Sequence, residues 1–463
     1  MKKPFSLAEF RNKSVHIVGV TGSEGSAILR LLTQEKFKNI TVHDYSPLEY
    51  SERSFKVWHK GIPLRDRNNA FKIFAQDIKT VNKNFGNDYL KEIESGDIIF
   101  APQSWRLYKR QNVPLLEAHQ KGILFCSLTS LYLDLSPAKV IAVCGTVGKG
   151  SVSHLIYDVL KGSGKSVYYG GNDTWNIQSL ENITSLSRED YLVLEVSHRQ
   201  LQEGLQKGPF IGVLTNIYPN HLDETGLEEY KKLKYSLFTS QLSSDFAVLN
   251  NDYKDISDLA KEIKSQAVFF STKDLKLNTK YVQIIYDYFM RNKSNHLIEN
   301  IIATGAVLEL LNISVEQTIK EISSSKSLQA RMQKIAENGE IEWYDDVKST
   351  TPWATLALIN KLGNNLILIM GGKTKGIDYK DALKEIQKRV LKLIILESEL
   401  RSEASKYLMP GSYMIAGTLK DALALSYKEA KKGTKIAVSP GAAFFYTDFI
   451  KGKSSIRQIL YNL

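Results

Sequence analysis

The residues CGTVGKGS, at 144–151, stand between the apolar run VIAV and the helix-like VSHLIYDVL. A strand, a glycine turn and a lysine at a helix start gather backbone N–H groups and an ammonium around phosphates. Gly145, Thr146, Gly148, Lys149, Gly150 and Ser151 are therefore candidates for holding a nucleoside triphosphate. The spacing GxxGK is shorter than the general phosphate loop, so a chance GK after a strand competes with this reading. A Mg²⁺-binding hydroxyl is expected directly after the lysine. Gly150 occupies that place, and Ser151, one residue later, is the expected donor.

Further residues fit the same chemistry. Glu195 ends the apolar run YLVLE. A carboxylate at the C-terminal end of a parallel strand faces the ligand crevice and can hold Mg²⁺; a solvated strand end is the plain alternative. Lys234 shares a helical face with Leu227, Tyr230, Leu237 and Phe238. A lysine on an apolar face snorkels, pairs or is chemically modified, because burying a lone ammonium is costly. His221 lies in a polar loop, where a surface histidine is the default. GVTGSEGS, at 19–26, is a second glycine turn between a strand and a helix, with Gly22 placed to let a phosphate approach. Asp44 closes the next strand and suits a ribose or a base edge; a turn without a ligand is equally consistent. Three later strand-end loops carry Asp345, Asp346, Lys348 and Thr350; Lys375 in GGKTKG; and Ser439 in SPGAAFF. Together they suggest one ligand-facing rim, although each alone is ordinary turn chemistry.

These groups need a scaffold that brings strand ends together. Continuously apolar strands alternate with amphipathic helical stretches nearly throughout, which predicts parallel sheets covered on both faces. At 463 residues the chain exceeds one ordinary core. Three α/β units are expected: 1–137, 138–327 and 328–463. The net charge of +11 favours anionic partners. The lysines are dispersed, without a basic block, which argues against nucleic acid and for small phosphorylated substrates. No apolar run is long enough to span a bilayer, and MKKPFSLAEF lacks a signal-peptide core. Cys126 and Cys144 read as buried, reduced thiols, consistent with a cytoplasmic protein that has no membrane partner.

Taken in order, these motifs resemble the Mur ligase family, the ATP-dependent amide-bond ligases of peptidoglycan synthesis. GTVGKGS is similar to the family's GTNGK loop, Gly170–Gly171–Asn172 to its GGN, and LEVS to its glutamate-ended strand. His221 and Lys234 match its histidine and carbamylated lysine. His296 and Asn300 match HNxxN, with Leu297 replacing the first asparagine. Arg331 matches the arginine opening the third domain, with Ala330 where a histidine often precedes it. DVKSTT is similar to DSKATN and supplies Asp346, Lys348 and Thr350; Lys375 matches the later GGxxK lysine.

The likeness is greatest to the branch that adds D-glutamate to UDP-N-acetylmuramoyl-L-alanine. SPGAAF stands in its SPACAS loop, with Phe444 replacing a serine that would bond the amino acid's carboxylate. Residues 45–95 have no clear counterpart.

The resemblance implies an N-terminal Rossmann-like nucleotide-sugar domain, a central P-loop ATPase-like domain and a C-terminal Rossmann-like domain. It also implies ATP, two Mg²⁺ ions, a carbamylated Lys234 and a monomer. Lys149, His221, Lys234 and Lys348 would be catalytic, while Ser151, Glu195, His221 and Lys234 would serve metal. Asn300, Arg331 and Asp346 would engage ATP. Gly22, Asp44, Asn172, Thr350, Lys375, Ser439 and Phe444 would meet the two other substrates. Addition of a different amino acid, a pseudomurein-type ligase, and a catalytically weak nucleotide-binding scaffold are the alternatives.

Overall fold

The computed structural model describes residues 4–443 apart from 173–177, 293, 295, 327 and 339, together with Ile456. Phe444 lies outside the described residues. The chain forms two compact units. One comprises Met1–Asn216, Lys231–Arg291 and Ile298–Ile322, and the other Ile217–Tyr230, Asn292–Leu297 and Ser323–Leu463.

The first unit holds two parallel sheets. Strands β1 (Ser14–Val18), β2 (Asn39–Asp44), β3 (Asn82–Phe85), β4 (Ile98–Phe100) and β5 (Leu124–Cys126) are ordered β3-β2-β1-β4-β5. Strands β6 (Lys139–Cys144), β7 (Val167–Gly171), β8 (Tyr191–Glu195), β9 (Ile211–Leu214), β10 (Phe246–Asn250) and β11 (Gln266–Phe270) are ordered β11-β10-β9-β6-β8-β7. In an open parallel sheet, ligands bind beyond the C-terminal strand ends where the strand order reverses. That place lies between β1 and β4 in the first sheet and around β6 in the second.

The second sheet shows why the sequence folds this way. Val140 to Cys144 are all buried, as a central strand covered on both faces must be. The helix Lys149–Gly162 packs Val152, Leu155, Ile156 and Val159 into the same core as Ile141 and Val143.

The second unit contains β12 (Gln333–Asn338), β13 (Ile341–Asp345), β14 (Leu366–Gly371), β15 (Lys392–Leu396), β16 (Met414–Ala416) and β17 (Lys435–Gly441), ordered β12-β13-β17-β14-β15-β16. One departure from a wholly parallel sheet appears here. β12 is an antiparallel edge strand on β13, because only the short turn around Glu340 separates them. Its pairing also shifts register between Lys334 and Ala336. One helix, Pro352–Leu362, coincides with its apolar pattern; Thr351 caps it by accepting from the Ala354 amide.

A tight constraint in the second sheet lies just after β6. Gly145 has φ +142°, and a Cβ built there would lie 2.0 Å from Thr215 Oγ1 and 3.2 Å from the Asn216 carbonyl oxygen. Gly145→Ala should therefore cost about 3 kcal/mol, combining backbone strain with a steric clash. Gly204, with φ +77° and nothing within 4 Å, should cost only about 1 kcal/mol on the same substitution. Denaturant melts of the two variants measure the difference, and equal losses would contradict the crowding argument.

Candidate active site

The phosphate-loop candidate is held mainly by two residues that follow β9. The Asn216 carbonyl accepts from the Thr146 amide at 2.9 Å, and its Oδ1 accepts from the Val147 amide at 2.8 Å. Asn216 Nδ2 and Thr215 Oγ1 both donate to the Val147 carbonyl, at 3.1 and 2.7 Å. The first amides of the loop are thus committed to protein partners. The amides of the first turn of Lys149–Gly162, which have no partner within the helix, are the ones that could meet an anion. Gly148, at φ +90°, caps that helix and lies against Asn300, whose Oδ1 would be 2.6 Å from a Cβ. Lys149 Nζ donates to the Thr146 carbonyl at 3.1 Å. Gly150 is buried and Ser151 half-buried, both in that first turn.

Lys234 comes to the same loop from the helix Leu227–Thr239. Tyr230, Leu237 and Phe238 are buried, and Lys234 is only 1% exposed. Its Nζ donates to the Gly145 carbonyl at 2.7 Å, so the side chain does not snorkel to solvent. Burial pushes its ammonium down to about 8, against the pull of Cys144 and Glu195. The Cys144 thiol is pushed up to about 11 by burial and stays protonated. Cys126 and Cys144 are both buried.

Glu195 ends β8 as expected. Asn172 donates its amide to the Glu195 carbonyl at 2.7 Å and its Nδ2 to Glu195 Oε1 at 3.0 Å. Gly171, at φ +95°, permits this approach, since a Cβ would sit 2.2 Å from the Glu195 carbonyl oxygen. A carboxylate with one oxygen held by an N–H and the other left for a cation suits a hard divalent metal.

In the first sheet, Gly22 caps the helix Ser23–Gln34. Asp44 Oδ2 accepts from the Thr21 amide and hydroxyl at 2.9 and 2.7 Å, and Oδ1 accepts from the Ser46 amide at 3.0 Å. Much of this carboxylate's hydrogen-bonding capacity therefore serves to fix the turn. A cavity of about 240 Å³ opens beside that helix, lined in part by Ser26, Arg30, Phe55, His59 and Phe74. Its far wall comes from 51–77, for which sequence reading found no role.

The second unit brings together most of its own candidates. Asp346 is buried, accepting from the Met332 amide at 3.0 Å and the Ser439 hydroxyl at 2.7 Å. Burial raises its carboxyl to about 6, and Arg331 opposes the shift. Ser439 is itself fully buried and also bonds Thr355. Lys375, at φ +54°, donates to Asn220 Oδ1 at 3.4 Å and to the carbonyl and Oγ1 of Thr350 at 3.3 Å. The Leu222 amide donates to its carbonyl at 3.0 Å. His221, at φ +57°, bonds Glu224 Oε1 through Nδ1 at 2.7 Å. Lys348 is fixed through its amide on the Ala330 carbonyl at 3.2 Å.

Three residues near these sites escaped sequence reading. Asn216, in VLTN, had a weak signal, being polar directly after a buried strand beside β6. Glu299 accepts from Asn216 and Asn250 Nδ2 at 3.4 and 2.9 Å, and burial pushes it up to about 7. Lys361 is pushed down to about 8 by burial, opposed by Asp346. The last two sit on helices among ordinary polar neighbours and gave no signal.

Comparison with known proteins agrees with this geometry. Residues 143–304 match the Mur ligase middle domain. The chain is 28% identical over 450 residues to a UDP-N-acetylmuramoylalanine–D-glutamate ligase of Streptococcus equi subsp. zooepidemicus, covering 95% of this chain and 94% of that protein. It is 29% identical to the ligase of that name in Streptococcus uberis, covering 94% and 93%. Among solved structures, it resembles UDP-N-acetylmuramate–alanine ligase from Thermotoga maritima, with TM-score 0.56 and 13% identity over 97% of this chain and 99% of that one. A pseudomurein peptide ligase type C from Methanothermus fervidus gives TM-score 0.53 at 18% identity, over 97% and 100%. Residues 143–304, which carry the candidate phosphate loop, Glu195 and the buried Lys234, thus match the Mur ligase middle domain, and the chain is similar over nearly its whole length to D-glutamate ligases.

Proposed function

We propose that the protein is an ATP-dependent amide-bond ligase that joins D-glutamate to UDP-N-acetylmuramoyl-L-alanine. The observation that carries this reading is the buried Lys234 bonded to the phosphate-loop carbonyl of Gly145. The choice of D-glutamate rests on the near full-length likeness to ligases of that name. Three working domains, 1–137, 138–327 and 328–463, belong to the same proposal, as does a monomeric enzyme in the cytoplasm.

The acceptor's carboxylate attacks the γ-phosphorus of ATP, giving an acyl phosphate and ADP. The amine of the incoming amino acid then attacks the acyl carbon and expels phosphate. Oxide is a poor leaving group and phosphate a good one, which is why the first step precedes the second. Lys149 and the first-turn amides of its helix hold the phosphates against mutual repulsion. Glu195 and the Ser151 hydroxyl would hold Mg²⁺, which neutralises charge developing on the transferred phosphoryl group. His221 and a carbamylated Lys234 are the proposed holders of a second ion. Thr146, Gly150, Asn300, Arg331 and Asp346 serve ATP. Gly22, Asp44 and Asn172 serve the sugar nucleotide, and Lys348, Thr350, Lys375, Ser439 and Phe444 serve the amino acid.

The Lys234 environment supports the carbamate. Only the neutral amine adds to CO₂, forming an N–C bond and releasing a proton. An ammonium brought down to about 8 is roughly one-tenth neutral at pH 7, against less than about one-thousandth for an ordinary lysine. The product is an anion whose oxygens suit a hard cation.

Purified protein with ATP, Mg²⁺ and UDP-N-acetylmuramoyl-L-alanine should release phosphate with D-glutamate and not with other amino acids. Release with a different amino acid would move the specificity, and release with none would defeat the reading. Lys234→Ala should lower turnover by on the order of 100-fold and regain part of it with short carboxylic acids; full activity would refute the carbamate. At fixed dissolved CO₂, the ¹³C carbamate signal from ¹³CO₂ should grow between about pH 7 and about pH 9. The sign follows because deprotonation of the Lys234 ammonium exposes the nucleophile. A signal independent of pH, or absent, would overturn it.

A further inference from the structure

Gln103 follows β4, on the loop that faces β1 across the first sheet's ligand crevice. Neither the motifs nor the ligase chemistry above gives it a task. Its amide donates to Glu24 Oε2 at 3.0 Å, and its Oε1 accepts from the Ser197 hydroxyl at 2.6 Å. The Ser197 amide donates to Gln200 Oε1 at 3.1 Å, and Gln200 Nε2 donates to Glu24 Oε1 at 3.1 Å. These four residues close a ring that joins the first sheet's crevice to the segment just after β8. Glu24 is half-buried within it, and desolvation raises its carboxyl against the two bonds it accepts.

One bond leaves the ring. Gln103 Nε2 donates to Asn172 Oδ1 at 3.1 Å, and Asn172 Nδ2 donates to Glu195 Oε1 at 3.0 Å. A primary amide has one accepting and one donating end. The Glu195 carboxylate, which can only accept, sets which end of Asn172 faces it; Asn172 Oδ1 then takes Nε2 of Gln103, and the Ser197 hydroxyl meets the remaining Gln103 Oε1 as donor. Reversing Asn172 would set a carbonyl oxygen against a carboxylate oxygen, which is repulsive.

We infer that Gln103 is a positioning residue for the metal-holding carboxylate. Through Asn172 it orients Glu195, and so links the crevice of the first sheet to the cation site at the end of β8. The inference rests on the ligase reading for the identity of the two sites it connects, and it adds a residue and a coupling to that reading.

The test measures metal binding without turnover. Mn²⁺ is titrated into the full-length protein with a non-hydrolysable ATP analogue, following loss of the free-ion EPR signal. Gln103→Ala and the bulk-preserving Gln103→Met should each weaken Mn²⁺ roughly tenfold, the usual scale for a group supporting a metal ligand. Asn172→Ala should do the same, and Gln103→Ala/Asn172→Ala should be no weaker than Asn172→Ala alone, because the two act in series. Gln200→Ala breaks the same ring without touching Asn172; it should lower the melting temperature and leave Mn²⁺ binding within about twofold of wild type. In turnover, the Gln103 variants should raise the Mg²⁺ requirement and leave KM for D-glutamate unchanged.

Mn²⁺ binding by both Gln103 variants within twofold of wild type would overturn the inference. So would a double variant that loses the product of the single effects, or a Gln200→Ala protein that binds Mn²⁺ as weakly as Gln103→Ala. If the cycle behaves as stated while the wild type releases no phosphate with any amino acid, the role of Gln103 stands and the ligase reading falls.

Discussion

A single buried amine governs the central site. Lys234 has no room to reach solvent, and its donation to the Gly145 carbonyl fixes the point where β6 turns towards its helix. A buried ammonium is expensive, and here burial has already moved its proton affinity down to about 8. The cost is held in place by a core that cannot yield, with Tyr230, Leu237 and Phe238 buried on the same helix. Structure and reactivity are therefore coupled at this residue. The packing that makes the ammonium costly is also what loosens its hold on the proton.

The strand orders extend that constraint to the other functional groups. In the second sheet β6 lies between β8 and β9, so the candidate phosphate loop, Glu195 and Thr215–Asn216 all emerge at one edge. In the third sheet β17 lies between β13 and β14, which gathers Asp346, Lys375 and Ser439 at the ends of three neighbouring strands. Parallel strands require crossover connections, and those connections place every loop of one kind on the same side. Residues far apart in sequence become neighbours because strand ends, rather than whole strands, carry the chemistry.

This also explains which features were legible in the sequence. Buried parallel strands are continuously apolar, so VIAV, YLVL and LILIM stood out, as did the charged or glycine residues that ended them. Lys234 was visible because helical periodicity put it among apolar neighbours. Less could be read where a role depends on orientation rather than residue type. Asn216, Gln103 and Glu299 are common polar residues, and only three-dimensional contact reveals what each one holds. The antiparallel β12 was hidden for a different reason. QKIAEN, at 333–338, has only two apolar residues, Ile335 and Ala336, side by side, so it shows neither the continuous apolar run of a core strand nor a clean alternation, and its pairing is itself irregular there.

Neutral amides are well suited to the place they occupy beside Glu195. A lysine there would neutralise the carboxylate and compete with a cation, and a second carboxylate would raise the cost of ionising the first. Asparagine does neither. It supplies one N–H to one oxygen, takes its direction from a second amide, and leaves the carboxylate's charge intact. The same logic holds at the candidate phosphate loop, where Asn216 occupies the Thr146 and Val147 amides without adding a charge of its own. Uncharged amides thus set the directions of Glu195 and of the turn after β6, while the Glu299 carboxylate lies behind Asn216 and accepts from it.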